Sequence, residues 1–112
     1  MTQTTDAATA HIANAIKAHP IVLFMKGTPE RPQCGFSAAV VDILGHYDVP
    51  VHAIDVLAHP AIRQAIKTYS DWPTIPQLYL KGTFVGRCDI VREMHATGEL
   101  AELIGDTRQS LS

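Results

Sequence analysis

The chain has 112 residues, of which 46% are hydrophobic and 18% are charged, and this balance suits one domain with its own core. The net charge of −2 and the lack of a basic run argue against nucleic acid as the main partner. No apolar segment approaches the roughly 20 residues that cross a bilayer, and the opening MTQTTDAATA lacks the layout of a secretory signal. We therefore expect a single cytoplasmic domain over residues 1–112, with its core at about 8–105 and no membrane contact.

The first 70 residues alternate between helical and strand patterns. Apolar residues at helical spacing precede Pro20, the run IVLFM is short, continuous and rich in strand formers, and helical spacing returns after Cys34. The segment VHAIDV alternates as a strand does. We predict a helix over 6–18, a strand over 21–25, a helix that follows Cys34 and ends near Gly45, a strand over 51–56 and a helix over 59–70.

Two prolines in DWPTIPQ interrupt the pattern before the second half of the chain. Beyond them, two short strand patterns flank the tight turn Gly82-Thr83, which indicates a hairpin. We predict strands over 77–81 and 84–87, a helix that Asp89 caps and Gly98 closes, a short helix over 99–105 and a frayed tail over 106–112.

The predicted order of elements is α-β-α-β-α-β-β-α. A helix between the first two strands makes those strands parallel, and the hairpin adds two antiparallel strands. Helices before, between and after the strands have to cover both faces of the sheet. The sequence therefore predicts an α/β domain with the thioredoxin-like fold, in which helices sandwich a four-stranded mixed sheet.

Cys34 is a lone thiol at the start of a predicted helix. Ser37 stands where a disulfide-exchange motif has its second cysteine. The unpaired amides and positive dipole of a helix start stabilise a thiolate, and Lys26 adds positive charge if the intervening loop folds back. The alternative is that Cys34 is a small buried apolar residue, as most free cysteines are. Its Pro, Gly and Ser neighbours resemble an exposed loop and favour the reactive interpretation.

A thiolate of this kind has two uses. It can attack disulfides such as a glutathione mixed disulfide, although Ser37 cannot resolve the product. It can also ligate a soft metal centre, such as a 2Fe–2S cluster with four thiolates. One chain with one exposed cysteine reaches four thiolates only by dimerising and borrowing thiols from elsewhere, and glutathione is the abundant thiol that fits.

Three segments, FMKGTPERPQCGFSAAVV, WPTIPQLYLKGTFVGRCDIVREM and TGELAELI, resemble the monothiol glutaredoxins of the CGFS type, single-domain class. The resemblance runs from about His11 to Ile104. It implies a 2Fe–2S cluster shared across a homodimer, with one cysteine from each protomer and two glutathione thiolates. It further implies a carrier that takes clusters from a scaffold to apo iron–sulfur proteins and works with BolA-like partners.

The same resemblance implies the site residues. Cys34 would be the cluster ligand and the nucleophile of any glutathione chemistry, and the positions that match those holding glutathione are Lys26, Arg63, Ile75, Cys88 and Asp89. Lys26 and Arg63 could pair with the glycyl carboxylate. Without the resemblance, Arg63 is simply an exposed helix residue.

The resemblance also implies a cis bond before Pro76, which lets the backbone of Ile75 bind an extended peptide. From the sequence alone, a trans turn proline is the better expectation. Trp72 and Pro73 are expected to pack beside the groove.

Cys88 and Asp89 lie where a strand gives way to a helix. Amides at such a helix start suit the γ-glutamyl carboxylate, and Asp89 can accept from the α-amino group. We expect Cys88 to contribute its backbone, with a slow disulfide to Cys34 or to glutathione as the alternative for its thiol. The alternative for Asp89 is a plain helix N-cap. Family members commonly have Gly-Gly-Cys-Asp here, whereas this chain has Arg87 before Cys88. Arg87 would either strengthen anion binding or crowd the dimer contact.

Two functions follow from these residues. The first is a glutathione-dependent carrier of 2Fe–2S clusters. The second is an oxidoreductase that removes glutathione from protein mixed disulfides, with a second glutathione as the resolving thiol. We rank the carrier first and expect at most weak oxidoreductase activity.

Overall fold

A computed structural model describes residues 3–47, 49–71 and 74–111 of the chain. We expect Trp72 and Pro73 to pack beside the groove, but these two positions lie outside the described residues. None of the helices within the described ranges is both long and apolar enough to cross a membrane.

The structure has the predicted helices and strands in the predicted order, including the last helix after α4. The elements are α1 (Gln3–Ala18), β1 (Ile21–Met25), α2 (Gly35–Gly45), β2 (His52–Asp55), α3 (Pro60–Ser70), β3 (Gln77–Leu80), β4 (Thr83–Gly86), α4 (Cys88–Thr97) and α5 (Glu99–Leu111). The predicted thioredoxin-like α/β architecture is confirmed.

The four strands form one mixed sheet in the order β2-β1-β3-β4. Strand β1 pairs in parallel with β2 and antiparallel with β3, so that Leu23 lies between Ala53 and Leu78. Strands β3 and β4 form the predicted antiparallel hairpin. Because β1 is a central strand covered on both faces, all five of its residues are buried, which explains its continuous apolar run.

Each face of the sheet carries its own hydrophobic cluster. Val22 and Phe24 of β1 pack with α1 and α3 on one face, and Tyr79 of β3 belongs to the same cluster. Leu23 and Met25 point to the opposite face and pack with α2, α4 and α5. This alternation along one strand is what places helices on both sides of the sheet.

Two helix boundaries differ from the predictions by several residues. Helix α1 begins at Gln3 and not at residue 6, and α5 runs to Leu111 and not to residue 105. Gly105 does not end α5, because a glycine inside a helix costs only about 1 kcal/mol. By contrast, Gly98 has a φ of 87° and ends α4 in the left-handed conformation.

The alternative that Asp89 is the N-cap of α4 is wrong. The cap is Arg87, whose backbone is extended (φ −101°, ψ −171°), and the helix already includes Cys88. Asp89 therefore lies in the first turn, where its Oδ1 accepts the N–H of Ile90 at 3.0 Å. An acidic side chain is favourable at this position because of the positive end of the helix dipole.

Two imidazole rings stack at the start of β2, at the end of the sheet away from Lys26. The ring centroids of His19 and His52 are 3.9 Å apart and the planes differ by 10°. Burial lowers the pKa of His52 most, and the nearby His19 and His11 lower it further. The folded protein therefore disfavours the protonated form of His52.

Candidate functional site

All six predicted site residues line a single cavity of about 520 Å³. The cavity lies between the end of β1, the start of α2, one face of α3, the loop before β3 and the start of α4. Its lining consists of Lys26, Cys34, Phe36, Arg63, Lys67, Thr74, Ile75, Pro76, Arg87, Cys88, Asp89 and Arg92. The fold thus brings residues from five separate segments to one place.

The thiol of Cys34 lies at the N-terminus of α2 and is partly exposed. The backbone N–H of Ser37 lowers the pKa of this thiol most, and burial opposes that effect. The N–H of Phe36, the charge of Lys26 and the hydroxyl of Ser37 lower the pKa further. The prediction that the helix start and Lys26 together favour the thiolate is confirmed.

Ser37 has a structural role that the sequence does not reveal. Its side chain is fully buried, and its Oγ accepts the backbone N–H of Lys26 at 3.1 Å. The hydroxyl that replaces the second thiol of a dithiol motif therefore ties the end of β1 to the first turn of α2. This bond connects Lys26 to the helix that presents Cys34.

The loop after β1 folds back on itself, as the proximity of Lys26 to Cys34 requires. The N–H of Gln33 donates to the carbonyl of Lys26 at 2.8 Å, and the N–H of Gly27 donates to Oδ1 of Asp55 at 2.9 Å. Gly27 has a φ of 91°, and a Cβ there would lie 2.5 Å from the carbonyl oxygen of Arg31. Only glycine suits this position, because both the backbone angle and the space exclude a side chain.

Positive charge dominates the cavity. Arg63 and Lys67 lie one helical turn apart on α3, and both line the cavity. The start of α4 adds Arg87 and Arg92, and the end of β1 adds Lys26. The sequence did not identify Lys67 and Arg92 as site residues. The four-residue spacing between Arg63 and Lys67 is a signal that could have identified Lys67.

Ile75 and Pro76 form the wall of the cavity that precedes β3. The bond between them is cis, as the resemblance implied, so the trans expectation from sequence alone is wrong. Ile75 is buried, and the buried Gln77 follows with its Nε2 donating to the carbonyl of Thr74 at 3.1 Å. These contacts hold the segment against the sheet at the edge of the cavity.

The start of α4 presents a buried thiol and an exposed ion pair. Cys88 is only 5% exposed and belongs to the core beneath the cavity. Asp89 accepts from Nε of Arg87 at 3.0 Å. Within the described ranges, no three His, Cys, Asp or Glu side chains come together as a metal site.

The sequence of this domain matches a known family over most of its strands and helices. The family model for glutaredoxin matches residues 21–85. A monothiol glutaredoxin-5 of Lachancea kluyveri is 54% identical to the chain over 98 residues, which cover 85% of the chain and 68% of that protein. The chain belongs to the monothiol glutaredoxin family.

Other relatives and a solved structure agree with the glutaredoxin assignment. A probable monothiol glutaredoxin 2 of Rickettsia prowazekii is 52% identical, with 85% of this chain and 89% of that protein covered. Reduced poplar apo GrxS14 is 42% identical, with a TM-score of 0.82, and the match covers 96% of this chain and 98% of that one. A buckwheat glutaredoxin–glutathione complex at 21% identity shares the fold, with a TM-score of 0.85 and coverage of 96% of both chains.

The relatives differ in length and location. The chain spans only 53% and 56% of two rice monothiol glutaredoxins that it matches. Their names place one in mitochondria and the other in chloroplasts. The expected cytoplasmic location of this glutaredoxin therefore stays a prediction.

Proposed function

We propose that this glutaredoxin carries a 2Fe–2S cluster, held by Cys34 and by glutathione, and transfers it to apo-proteins. One observation carries the proposal. The structure presents a single partly exposed thiol, with a lowered pKa, at a cavity rich in positive charge. A soft metal centre needs thiolate ligands, and the anionic peptide glutathione needs cationic partners.

The state of the two cysteines supports sharing the cluster between two chains. Cys34 is partly exposed, whereas Cys88 is buried in the core. A cluster with four thiolate ligands would then take one thiolate from each of two protomers and two from glutathione. A homodimer in the loaded state is therefore part of the proposal.

The cavity residues fit the groups of glutathione. Lys26 and Arg63 offer cations for the glycyl carboxylate, and the backbone of Ile75 offers peptide hydrogen bonds. The start of α4 offers the amides of Cys88 and Asp89 to the γ-glutamyl carboxylate, since helix N-termini favour anions. Asp89 supplies a carboxylate for the α-amino group.

The oxidoreductase alternative has less support. Ser37 offers no second thiol, and its hydroxyl is buried and bonded to the backbone of Lys26. Exchange would depend entirely on a second glutathione. The recipients of the cluster, which we propose to be apo iron–sulfur proteins with a BolA-like protein as partner, are inferred from the family alone.

Anaerobic reconstitution with iron, sulfide and glutathione tests the proposal. We expect a coloured dimer with about one iron, one sulfide and one glutathione per chain, measured by visible absorption, gel filtration and chemical analysis. Cys34→Ser should abolish the colour. Cys88→Ala is the matched variant, since it removes the other thiol and keeps the backbone amide; it should remain coloured.

Two results would overturn the carrier function. One is a Cys34→Ser variant that still binds a full cluster. The other is a colourless wild-type monomer that reduces glutathione mixed disulfides rapidly, which would make Cys34 a catalyst of thiol exchange.

A further inference from the structure

Asp89 is the one acidic side chain among the described residues that line the cavity, and it is already paired. Its Oδ1 accepts from Nε of Arg87 at 3.0 Å and from the N–H of Ile90 at 3.0 Å. Arg87 is the residue that caps α4, and its side chain reaches Asp89 in the first turn of the same helix. The carboxylate assigned above to the ligand's ammonium group therefore already has a cationic partner within the protein.

We propose that Arg87 sets the ligand specificity of this site by competing with the ligand's ammonium group for Asp89. The inference rests on the proposed glutathione site and specifies which ligands it accepts. With Arg87 in place, Asp89 has a cationic partner whether or not the ligand brings one. The site then takes γ-glutamyl thiols whose amino group is blocked nearly as well as glutathione itself.

Two energetic consequences follow from the ion pair. A ligand with an ammonium group gains less from Asp89, because the charge of Arg87 already offsets part of the charge of the carboxylate. A ligand without one is repelled less by the carboxylate for the same reason. The side chains of Arg87 and Asp89 are 41% and 64% exposed, and an exposed pair of this kind contributes little. The expected change in affinity on removing Arg87 is therefore roughly two- to fivefold.

Arg92 provides the control that distinguishes competition for Asp89 from simple attraction of the ligand's anionic groups. It lines the same cavity on the same helix, and within the described residues the ion pair of Asp89 is with Arg87. Arg92→Gln removes one positive charge and leaves the pair intact. It should weaken both ligands, and the amine-blocked analogue slightly more, because that analogue carries one more net negative charge. Arg87→Gln removes the same charge but also frees Asp89, so it should tighten glutathione and weaken the analogue.

The test compares reduced glutathione with N-acetylglutathione, which lacks the ammonium group. Each is titrated into the reduced, isotope-labelled full chain, and the amide shifts of cavity residues give the two dissociation constants. We expect the ratio of the constants, analogue over glutathione, to rise roughly two- to fivefold more in Arg87→Gln than in Arg92→Gln, which measures the effect of losing one charge alone. When Asp89 has been replaced by Asn, Arg87→Gln should raise the ratio no more than Arg92→Gln does.

The outcomes separate this inference from the proposed function. Saturable binding in which Arg87→Gln raises the ratio no more than Arg92→Gln does would overturn the role of Arg87 alone. No saturable binding of glutathione to the wild-type chain would overturn the proposed glutathione site and this inference with it. Because the readout is a ratio within each variant, loss of folded protein does not mimic the effect.

Discussion

Replacing Ser37 with alanine tests whether the buried hydroxyl holds the site together. The change removes the acceptor for the N–H of Lys26, which lies 3.1 Å from Oγ. A hydrogen bond contributes about 1 kcal/mol net, and a buried donor left without a partner costs about 1–3 kcal/mol. Since Ser37 is fully buried and Lys26 only partly so, we expect Ser37→Ala to lower the free energy of unfolding by about 1–2 kcal/mol.

Thr28→Ala is the matched control for this variant. The hydroxyl of Thr28 also accepts a backbone N–H at 3.1 Å, that of Arg31, but this bond is exposed. Water can replace it, so the control should change the free energy of unfolding by less than about 0.5 kcal/mol. Urea unfolding followed by circular dichroism measures both variants. Equal losses in the two variants would refute the argument from burial.

Ser37→Ala should have only a small effect on the pKa of the Cys34 thiol. The hydroxyl of Ser37 is the weakest of the groups that lower the pKa of Cys34, while the N–H of residue 37 is the strongest and remains in alanine. We expect the pKa of Cys34 to rise slightly and to stay below its ordinary value. The rate of alkylation against pH measures it, and a return to the ordinary value would contradict the dominant role of the backbone amide.

Three further predictions concern charge, pH and backbone geometry. Lys26→Gln should raise the pKa of Cys34, and Lys26→Arg should not, as read from alkylation rates against pH. Because the pKa of His52 is lowered in the folded state, the unfolded chain binds the proton first as the pH falls below about 6.5, and the free energy of unfolding decreases there. His52→Asn should make the fall in the free energy of unfolding between pH 7 and pH 5.5 smaller, as measured by urea unfolding. An unchanged pH dependence would contradict this prediction. Gly27→Ala should cost about 2 kcal/mol or more by the same method, because of its φ of 91° and a backbone carbonyl 2.5 Å from the new Cβ. Gly35→Ala, where nothing lies within 4 Å of an added Cβ, should be neutral or stabilising, and an equal loss in both variants would show that crowding is not the cause.

The order of the elements and the position of Cys34 could be predicted from the sequence. Helical spacing, the apolar run at 21–25 and the hairpin turn at Gly82 are signals carried by neighbouring residues. A thiol just before an amphipathic segment lies at a helix start wherever that helix packs. The amides that lower its pKa come from the next few residues, so this part of the site is local.

The six predicted site residues meet in one cavity, although without the resemblance Arg63 had no signal in the sequence. Lys67 and Arg92 were missed because a charged residue on a helix is usually solvated, and only the packing of α3 and α4 turns these two toward the cavity. The sequence pattern alone did not predict the cis bond before Pro76, since most bonds that precede proline are trans.

The tertiary structure alone decided the partners of Ser37, Gly27 and Asp89. The bond from Lys26 to Ser37 spans 11 positions, and that from Gly27 to Asp55 spans 28. Such bonds form only after β1, α2 and β2 have packed, because burial removes water and leaves each donor to find an acceptor nearby. Even the short-range pair of Arg87 and Asp89 depends on where α4 begins. The cap of α4 is Arg87 and not the predicted Asp89. Local patterns determined which elements form, and the packing of those elements determined which polar groups meet.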